Sequence, residues 1–185
     1  IYKCSIGTLY GASGDLNRLF ISGNPDDEYV NYQWYSAAKD PTYFPDTNYQ
    51  LIGTAKSAIV GYSVISSYLA VFKDKQEVEQ NIVLVSSTTV KDEVTFATQT
   101  TLHGSPSICS DAHGYLAGEP IFLTSLGVYA LTSQDITGRE LTNLRSFFLN
   151  GKLLDETDLD KAYAFVYKDF YILAVNGDRD RKSVV

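Results

Sequence analysis

Four side chains able to bind a metal ion fall within one short stretch of the chain. His103, Cys109, Asp111 and His113 supply two imidazoles, a thiol and a carboxylate, which are ligand types found in zinc sites. Their spacing matches no established zinc pattern, and the Ser, Pro and Gly residues around them are typical of a loop between strands. We interpret the stretch as a polar connection and expect no metal or other cofactor.

Carboxylates cluster in two further places, in residues 155–160 (DETDLD) and at Asp178 and Asp180. Calcium prefers oxygen-rich loops of this kind. Both clusters lack the spacing, the central Gly and the closing Glu of an EF-hand loop. The acidic residues are therefore interpreted as solvated turn positions.

The motifs of common enzymes are missing from the sequence. It contains no G-x-S-x-G elbow for a serine nucleophile, no glycine-rich phosphate loop, and only two histidines as candidate bases. A carboxylate pair for glycoside hydrolysis could come from the many acidic residues, but the repeated S-x-D-x-G-x-x-W boxes of propeller sialidases are not found. We expect a protein without enzymatic activity, and a propeller glycoside hydrolase ranks last among the alternatives.

A loop rich in aromatic residues and proline is the best candidate for binding. Residues 40–49 read DPTYFPDTNY, and Tyr43, Phe44 and Tyr49 in this loop, together with Trp34, form a candidate binding surface. Aromatic faces stack on sugars and anchor protein interfaces. The alternative is that these rings cap the end of a sheet, which Pro41 and Pro45 favour because they stiffen the loop.

Composition and charge limit the classes of partner. The 185 residues are 13% aromatic, include 14 tyrosines, and carry a net charge of −7. An acidic chain lacks the basic surface that nucleic acid requires, and no apolar run reaches the length of a membrane span. The two cysteines, Cys4 and Cys109, are expected to be buried free thiols, although one disulfide between them is the alternative.

Repeated hairpins predict an all-β fold. The strongest signal, KAYAFVYKDFYILAV at residues 161–175, places Tyr163, Phe165 and Tyr167 on one face of a strand and bends at Lys168-Asp169. Similar hairpins are predicted at residues 18–36, 58–72, 82–100 and 120–131. We expect eight to ten short strands in a β-propeller-like array of antiparallel hairpins, which need not form a complete ring.

Two details of this array are also predicted. Leu141, Leu144 and Phe148 have helical spacing, which predicts one short helix within residues 140–150. Hairpin bends near Ser66, Ser125 and Lys168 suggest a loose repeat of unequal blades. The whole chain, residues 1–185, is read as a single propeller-type domain, expected to be a fragment of a longer protein because it begins at Ile1 and ends just after a hairpin.

Several motifs, read in order, resemble β-propeller domains of structural proteins from tailed phages and prophages. They are RLFISGNPDDEYVNYQWYSAAKDPTYFPD from Arg18, the I-x-G and L-x-V-F-K hairpin around Gly61, the F-L-T-x-x-G-V-Y-A-L hairpin ending at Leu131, and the A-x-A-F-x-Y hairpin from Ala162. The resemblance covers about 150 residues and carries no catalytic residues. It implies a tail or neck component of the virion, made in the bacterial cytoplasm.

The resemblance also implies the partners. A virion module would bind other virion proteins and could bind a second copy of itself, because the open ends of an incomplete ring invite pairing. The alternative function is a carbohydrate-binding propeller that recognises a glycan through Trp34, Tyr43, Phe44 and Tyr49. Neither nucleic acid nor a membrane is an expected partner.

Overall fold

The computed structural model describes residues 1–11, 17–74, 81–91, 93–102, 108–132, 142–156, 158–175 and 182–184. Their dominant element is the antiparallel strand, as the repeated hairpins predict. The strands are β1 Ile6–Tyr10, β2 Arg18–Ser22, β3 Tyr32–Tyr35, β4 Tyr49–Leu51, β5 Ile59–Ile65, β6 Tyr68–Lys73, β7 Ile82–Val90, β8 Glu93–Leu102, β9 Ile108–Leu116, β10 Glu119–Thr124, β11 Gly127–Leu131, β12 Thr142–Leu144, β13 Tyr163–Tyr167, β14 Phe170–Ala174 and β15 Lys182–Val184. One turn of α-helix, α1 Asn150–Leu153, and a 3-10 turn at Leu159–Lys161 precede β13.

The strands form four sheets, each made of consecutive strands joined as an antiparallel meander. Sheet 1 contains β1–β4, sheet 2 contains β5–β8, sheet 3 contains β9–β12, and sheet 4 contains β13–β15. The first strands of successive sheets lie next to one another, so that β5 contacts both β1 and β9, and β9 contacts β13. This arrangement of successive meanders is that of a propeller-like array, and the prediction of the fold class is confirmed.

Three apolar layers hold consecutive sheets face to face. Tyr10 and Phe20 of sheet 1 pack on Leu69 and Val71 of sheet 2. The opposite face of sheet 2, which includes Phe72, packs on Phe122 of sheet 3. A third layer joins Ile121 and Leu123 of sheet 3 to Tyr171 and Leu173 of sheet 4. Successive side chains of β6 and β10 therefore pack in two different layers, because side chains alternate between the two faces of a strand.

The units of the array are more equal than the sequence suggests. The turns that follow the first strands of sheets 2, 3 and 4 begin at Ser66, Ala117 and Lys168, each with a left-handed φ of 51–53°, and these residues stand at equal intervals along the chain. The repeat is therefore regular at about 50 residues, the length of a four-stranded blade. The sequence predicts a loose repeat only because the bend near Ser125 is compared with those near Ser66 and Lys168. The Ser125 bend joins β10 to β11, whereas the other two bends follow the first strands of their sheets.

The prediction of one short helix is confirmed, but its position within residues 140–150 was wrong. Residues 142–144 form β12, which pairs with β11 through Leu144 and Tyr129. Phe148, one of the three residues with helical spacing, lies before α1 and is 95% exposed. Hydrogen bonding to the edge of β11 satisfies the backbone of this segment, so three residues of helical spacing did not decide its structure.

The sheets approach most closely along their first strands, where a glycine meets a large side chain. A Cβ at Gly61 in β5 would lie 2.9 Å from the His113 ring of β9, and a Cβ at Gly114 in β9 would lie 2.8 Å from Val166 of β13. Neither distance is compatible with an ordinary van der Waals contact. Glycine is therefore required at these positions for close packing of neighbouring sheets.

Replacing Gly61 tests this packing. Gly61→Ala should lower the free energy of unfolding by about 1–3 kcal/mol, because the new methyl group overpacks the His113 ring. In the Gly61→Ala/His113→Ala double variant the loss should be smaller than the sum of the two single losses by about 1 kcal/mol. Urea denaturation measures both quantities.

Gly151→Ala is the matched control, since nothing lies within 4 Å of a Cβ at that position in α1. This change should leave stability unchanged or raise it by about 0.5 kcal/mol, as glycine is a poor helix residue. Strictly additive losses at Gly61 and His113 would contradict the packing argument.

Candidate functional site: two uncovered sheet faces

The outward face of sheet 1, here called the leading face, has no neighbouring sheet against it among the described residues. The strand registers place Gly7 beside Ile21, Ile21 beside Trp34, and Trp34 beside Tyr49 on this face. The opposite side of the same strands packs on sheet 2. The leading face consists of Gly7, Leu9, Leu19, Ile21, Tyr32, Trp34, Tyr49 and Leu51.

A row of stacked rings crosses the outer part of the leading face. The Tyr32 ring stacks on Trp34 with centroids 5.6 Å apart and on Tyr49 at the same distance, with interplanar angles of 26° and 19°. Tyr29 closes the row by an edge contact with Tyr32 at 5.3 Å. Because Tyr32, Trp34 and Tyr49 come from paired strands, the sheet holds their rings in this arrangement without a ligand.

The structure separates the four predicted binding residues into two pairs that lie in different places. Trp34 and Tyr49 lie in this row, but no ring contact of the described residues joins Tyr43 or Phe44 to it. Tyr43 lies exposed on the loop between β3 and β4, where its carbonyl oxygen accepts a hydrogen bond from the Ala37 N–H. Nearby, hydrogen bonds from Thr42 lower the pKa of Asp40.

Two members of the row, Tyr29 and Tyr32, were missed by the sequence reading. Tyr32 was excluded because the predicted strand began at Gln33, whereas β3 begins one residue earlier. The alternation of Tyr32 and Trp34 would have placed both rings on one face. Tyr29 lies in a turn, and no local periodicity relates it to the other rings.

The outward face of sheet 4, here called the trailing face, is more strongly aromatic. It consists of Tyr163, Phe165 and Tyr167 on β13 with Phe170 and Ile172 on β14. The four aromatic residues are each more than half exposed. The other side of the same hairpin, including Ala164 and Val166, packs on sheet 3. The predicted division of this hairpin into an aromatic and a small apolar face is confirmed.

A groove runs along the first strands of sheets 1, 2 and 3. It has a volume of about 810 Å³ and is lined by Thr8, Leu9, Tyr62, Ser63, Val64, Ser66, His113, Gly114 and Tyr115. His113 lies at its base, against Gly61 and the ring of Phe72. Burial lowers the pKa of His113, and the charge of Asp111 opposes that shift without cancelling it.

A second cavity of about 510 Å³ lies between sheets 3 and 4. It is lined by two carboxylates, Glu119 and Asp169, beside Arg145. The Arg145 guanidinium forms an ion pair with Glu119. No Ser, Cys or His is among the described lining residues, so the cavity offers an ion pair and a carboxylate but no nucleophile with a base.

The residues considered as metal ligands do not assemble in the described parts of the chain. His103, Asp178 and Asp180 lie outside the described residues. The Cys109 thiol is engaged by the backbone, with Sγ 3.2 Å from the carbonyl oxygens of Asp160 and Ala162. No group of three His, Cys, Asp or Glu side chains that could hold a metal ion is found among the described residues.

Both cysteines are free thiols, which was the expectation, and the alternative of a disulfide between Cys4 and Cys109 was wrong. Cys109 is buried, and burial raises the pKa of its thiol. The expectation of burial was wrong for Cys4, which is partly exposed close to the start of the chain. Asp158, a candidate calcium ligand, forms a surface ion pair with Lys161 instead.

Comparison with known proteins finds no family model and no curated relative that matches the chain. No helix within the described ranges is long and apolar enough to cross a membrane.

Titration of His113 gives a test of the groove's geometry. Because burial holds the pKa of His113 below its ordinary value of 6.5, the unfolded chain binds a proton there that the folded chain does not. The free energy of unfolding should therefore fall as the pH is lowered from 7.5 to about 5.5. Urea denaturation across this range measures the slope.

His113→Gln should flatten the slope, and His103→Gln serves as the matched control for loss of the other histidine. A slope that survives in His113→Gln would contradict the assignment.

Proposed function

We propose that this chain is a non-enzymatic structural module of a tailed-phage or prophage virion, a tail or neck component that binds other proteins. The proposal is supported by the resemblance of its hairpin motifs to phage propeller domains. The observation that carries it is the pair of uncovered apolar faces at the two ends of the sheet array. Extended apolar patches on a folded protein mark interaction surfaces.

The composition of these faces supports protein contact. Tyrosine and tryptophan are enriched at binding hot spots, since they bury much apolar area with few rotatable bonds. On the trailing face, Tyr163, Phe165 and Tyr167 are fixed at alternate positions of one strand. Little conformational entropy is lost when such preordered rings are covered by a partner.

The described cavities give a proposed function less support than the end faces do. The larger groove is lined by His113 together with the hydroxyl residues Thr8, Ser63 and Ser66, and the smaller cavity holds Glu119 paired with Arg145. Exposed apolar area of the kind found on the end faces favours association with another molecule.

A genetic experiment tests the proposal in the phage or prophage whose genome carries the gene. Deleting the gene should abolish infectious particles, and supplying the wild-type chain in trans should restore them. Phe165→Asp should reduce the restored titre at least 10-fold, because a carboxylate on the trailing face must be desolvated in any contact there. Mass spectrometry of density-banded particles should detect the wild-type chain.

Phe148→Asp is the matched control, because Phe148 is highly exposed on the segment before α1 and lies on neither end face. It should restore the titre fully, and circular dichroism should show both variants folded. Infectious particles that lack the chain would refute a structural role in the virion.

A carbohydrate-binding function is the second candidate, and the stacked row of Tyr29, Tyr32, Trp34 and Tyr49 is the observation that favours it. Flat rows of rings stack on the apolar faces of sugars. If this function is correct, the chain binds glycans on an array, and Tyr49→Ala weakens that binding at least 10-fold. Tyr43→Ala, which changes an exposed ring outside the row, should not. No glycan signal from folded wild-type chain would exclude this candidate.

A further inference from the structure

The two end faces, the leading face and the trailing face, differ in the size of the side chains on their first strands. On the trailing face this strand is β13, where the Phe165 ring is 57% exposed between Tyr163 and Tyr167. On the leading face it is β1, which has Gly7 beside Leu9, and Leu9 is 48% exposed. The three atoms nearest to a Cβ at Gly7 all belong to its own sheet, in Phe20, Ile21 and Leu19. The trailing face therefore carries large side chains on its first strand, whereas the first strand of the leading face has a position without a side chain.

The interfaces within the chain also pair a glycine with a larger residue, although there the glycine belongs to the earlier sheet and the larger residue to the later one. Gly61 of sheet 2 receives His113 of sheet 3, and Gly114 of sheet 3 receives Val166 of sheet 4. Pairing a glycine with a larger residue lets the first strands of neighbouring sheets approach closely without leaving a cavity between them. A leading face with Gly7 on its first strand therefore fits a partner face that has large residues on its first strand, and the trailing face of the same chain is such a surface.

We propose that a second copy of this chain covers both end faces, each copy placing its trailing face on the leading face of the other. This inference rests on the proposed function only in treating the end faces as contact surfaces. The four sheets of each copy would then join into one array of eight, a number within the range of roughly four to eight blades known for propellers. A head-to-tail contact that closes after two copies gives a symmetric dimer with two identical interfaces.

The exposed area is sufficient for such a dimer. The four aromatic residues of the trailing face are more than half exposed, and they offer roughly 400 Å² at the usual area of aromatic side chains. Leu9, Tyr49 and Leu51 of the leading face, with Tyr29 in the adjacent turn, offer a similar amount. Two interfaces of roughly 800 Å² each reach about 1,600 Å², the size typical of stable protein contacts.

Analytical ultracentrifugation of the full chain, from 1 to 100 μM, tests the inference. The wild-type chain should sediment as a dimer. Phe165→Asp on the trailing face and Leu9→Asp on the leading face should each raise the dissociation constant at least 100-fold, because either change places a carboxylate in both interfaces. Phe148→Asp, outside both faces, should sediment as the wild type does.

Mixing the two variants distinguishes head-to-tail pairing from other geometries. A heterodimer of Phe165→Asp with Leu9→Asp keeps one interface free of both substitutions, so the mixture should recover dimer that neither variant forms alone. Contact between like faces would leave one variant fully dimeric and would give no recovery, which overturns the proposal. A wild-type monomer at 100 μM, or open polymers that grow with concentration, would also overturn it.

Tyr49→Asp and Phe170→Asp provide a second pair of exposed positions, one on each face, should the first pair fail to fold by circular dichroism. The result is separable from the virion function. A monomeric chain that still restores infectious particles would refute the second copy but not the structural role, whereas a dimer that is absent from particles would refute only the latter.

Discussion

In the described parts of the chain, both faces of each sheet carry apolar side chains, and the rest of the structure depends on that constraint. In β6 the buried run Leu69, Ala70, Val71 and Phe72 sends alternate side chains into two different layers. A neighbour on each side stabilises such a sheet, because exposing either face to water costs about 25 cal/mol for each Å² of apolar surface. The sheets must therefore form a continuous stack, in which each one stabilises the next.

Close stacking also has to satisfy polar groups, and buried tyrosines do this between sheets. The Tyr10 hydroxyl of sheet 1 donates to the Ser67 carbonyl oxygen of sheet 2 at 2.6 Å, and Tyr171 of sheet 4 donates to Ala112 of sheet 3 at 2.8 Å. Burial raises the pKa of Tyr171, so its hydroxyl remains a donor. Each bond fixes the position of one sheet against the next, which apolar contact alone does not do.

Sequence reasoning recovered the features of this stack that are local. The hairpins turning at Ser66 and Lys168 were predicted at their observed positions, since apolar alternation and polar turn residues are properties of a few neighbouring residues. It missed β9, because Ser110, Asp111 and His113 make that strand look like a polar loop. The strand is nevertheless stable, since β10 supplies its hydrogen bonds and Cys109 and Ala112 pack on sheet 4.

The candidate surfaces were predicted only in part, for a related reason. Register across strands brings Trp34 beside Tyr49 and leaves Tyr43 on its loop, and register is a long-range property that a single stretch of sequence does not encode. The alternation of Tyr163, Phe165 and Tyr167 was visible, but their exposure was not. A strand face of aromatic residues is typical of a buried face as well as of an exposed one. This face is exposed because sheet 4 lies at the end of the described array, and the sequence of the hairpin alone does not show that position.

The equal spacing of the turns allows the end faces to be compared with the internal ones. Counting back from the turns at Ser66 and Ala117, β5 carries Gly61 and Ser63 and β9 carries Ala112 and Gly114 where β13 carries Tyr163 and Phe165. Small residues at these positions leave room for the next sheet inside the chain. Sheet faces that meet water are usually polar in repeat proteins, yet the outward face of sheet 4 carries exposed rings. In the inferred contact with a second copy, these rings meet a face whose first strand has Gly7, so the difference between the end faces and the internal faces is matched on both sides.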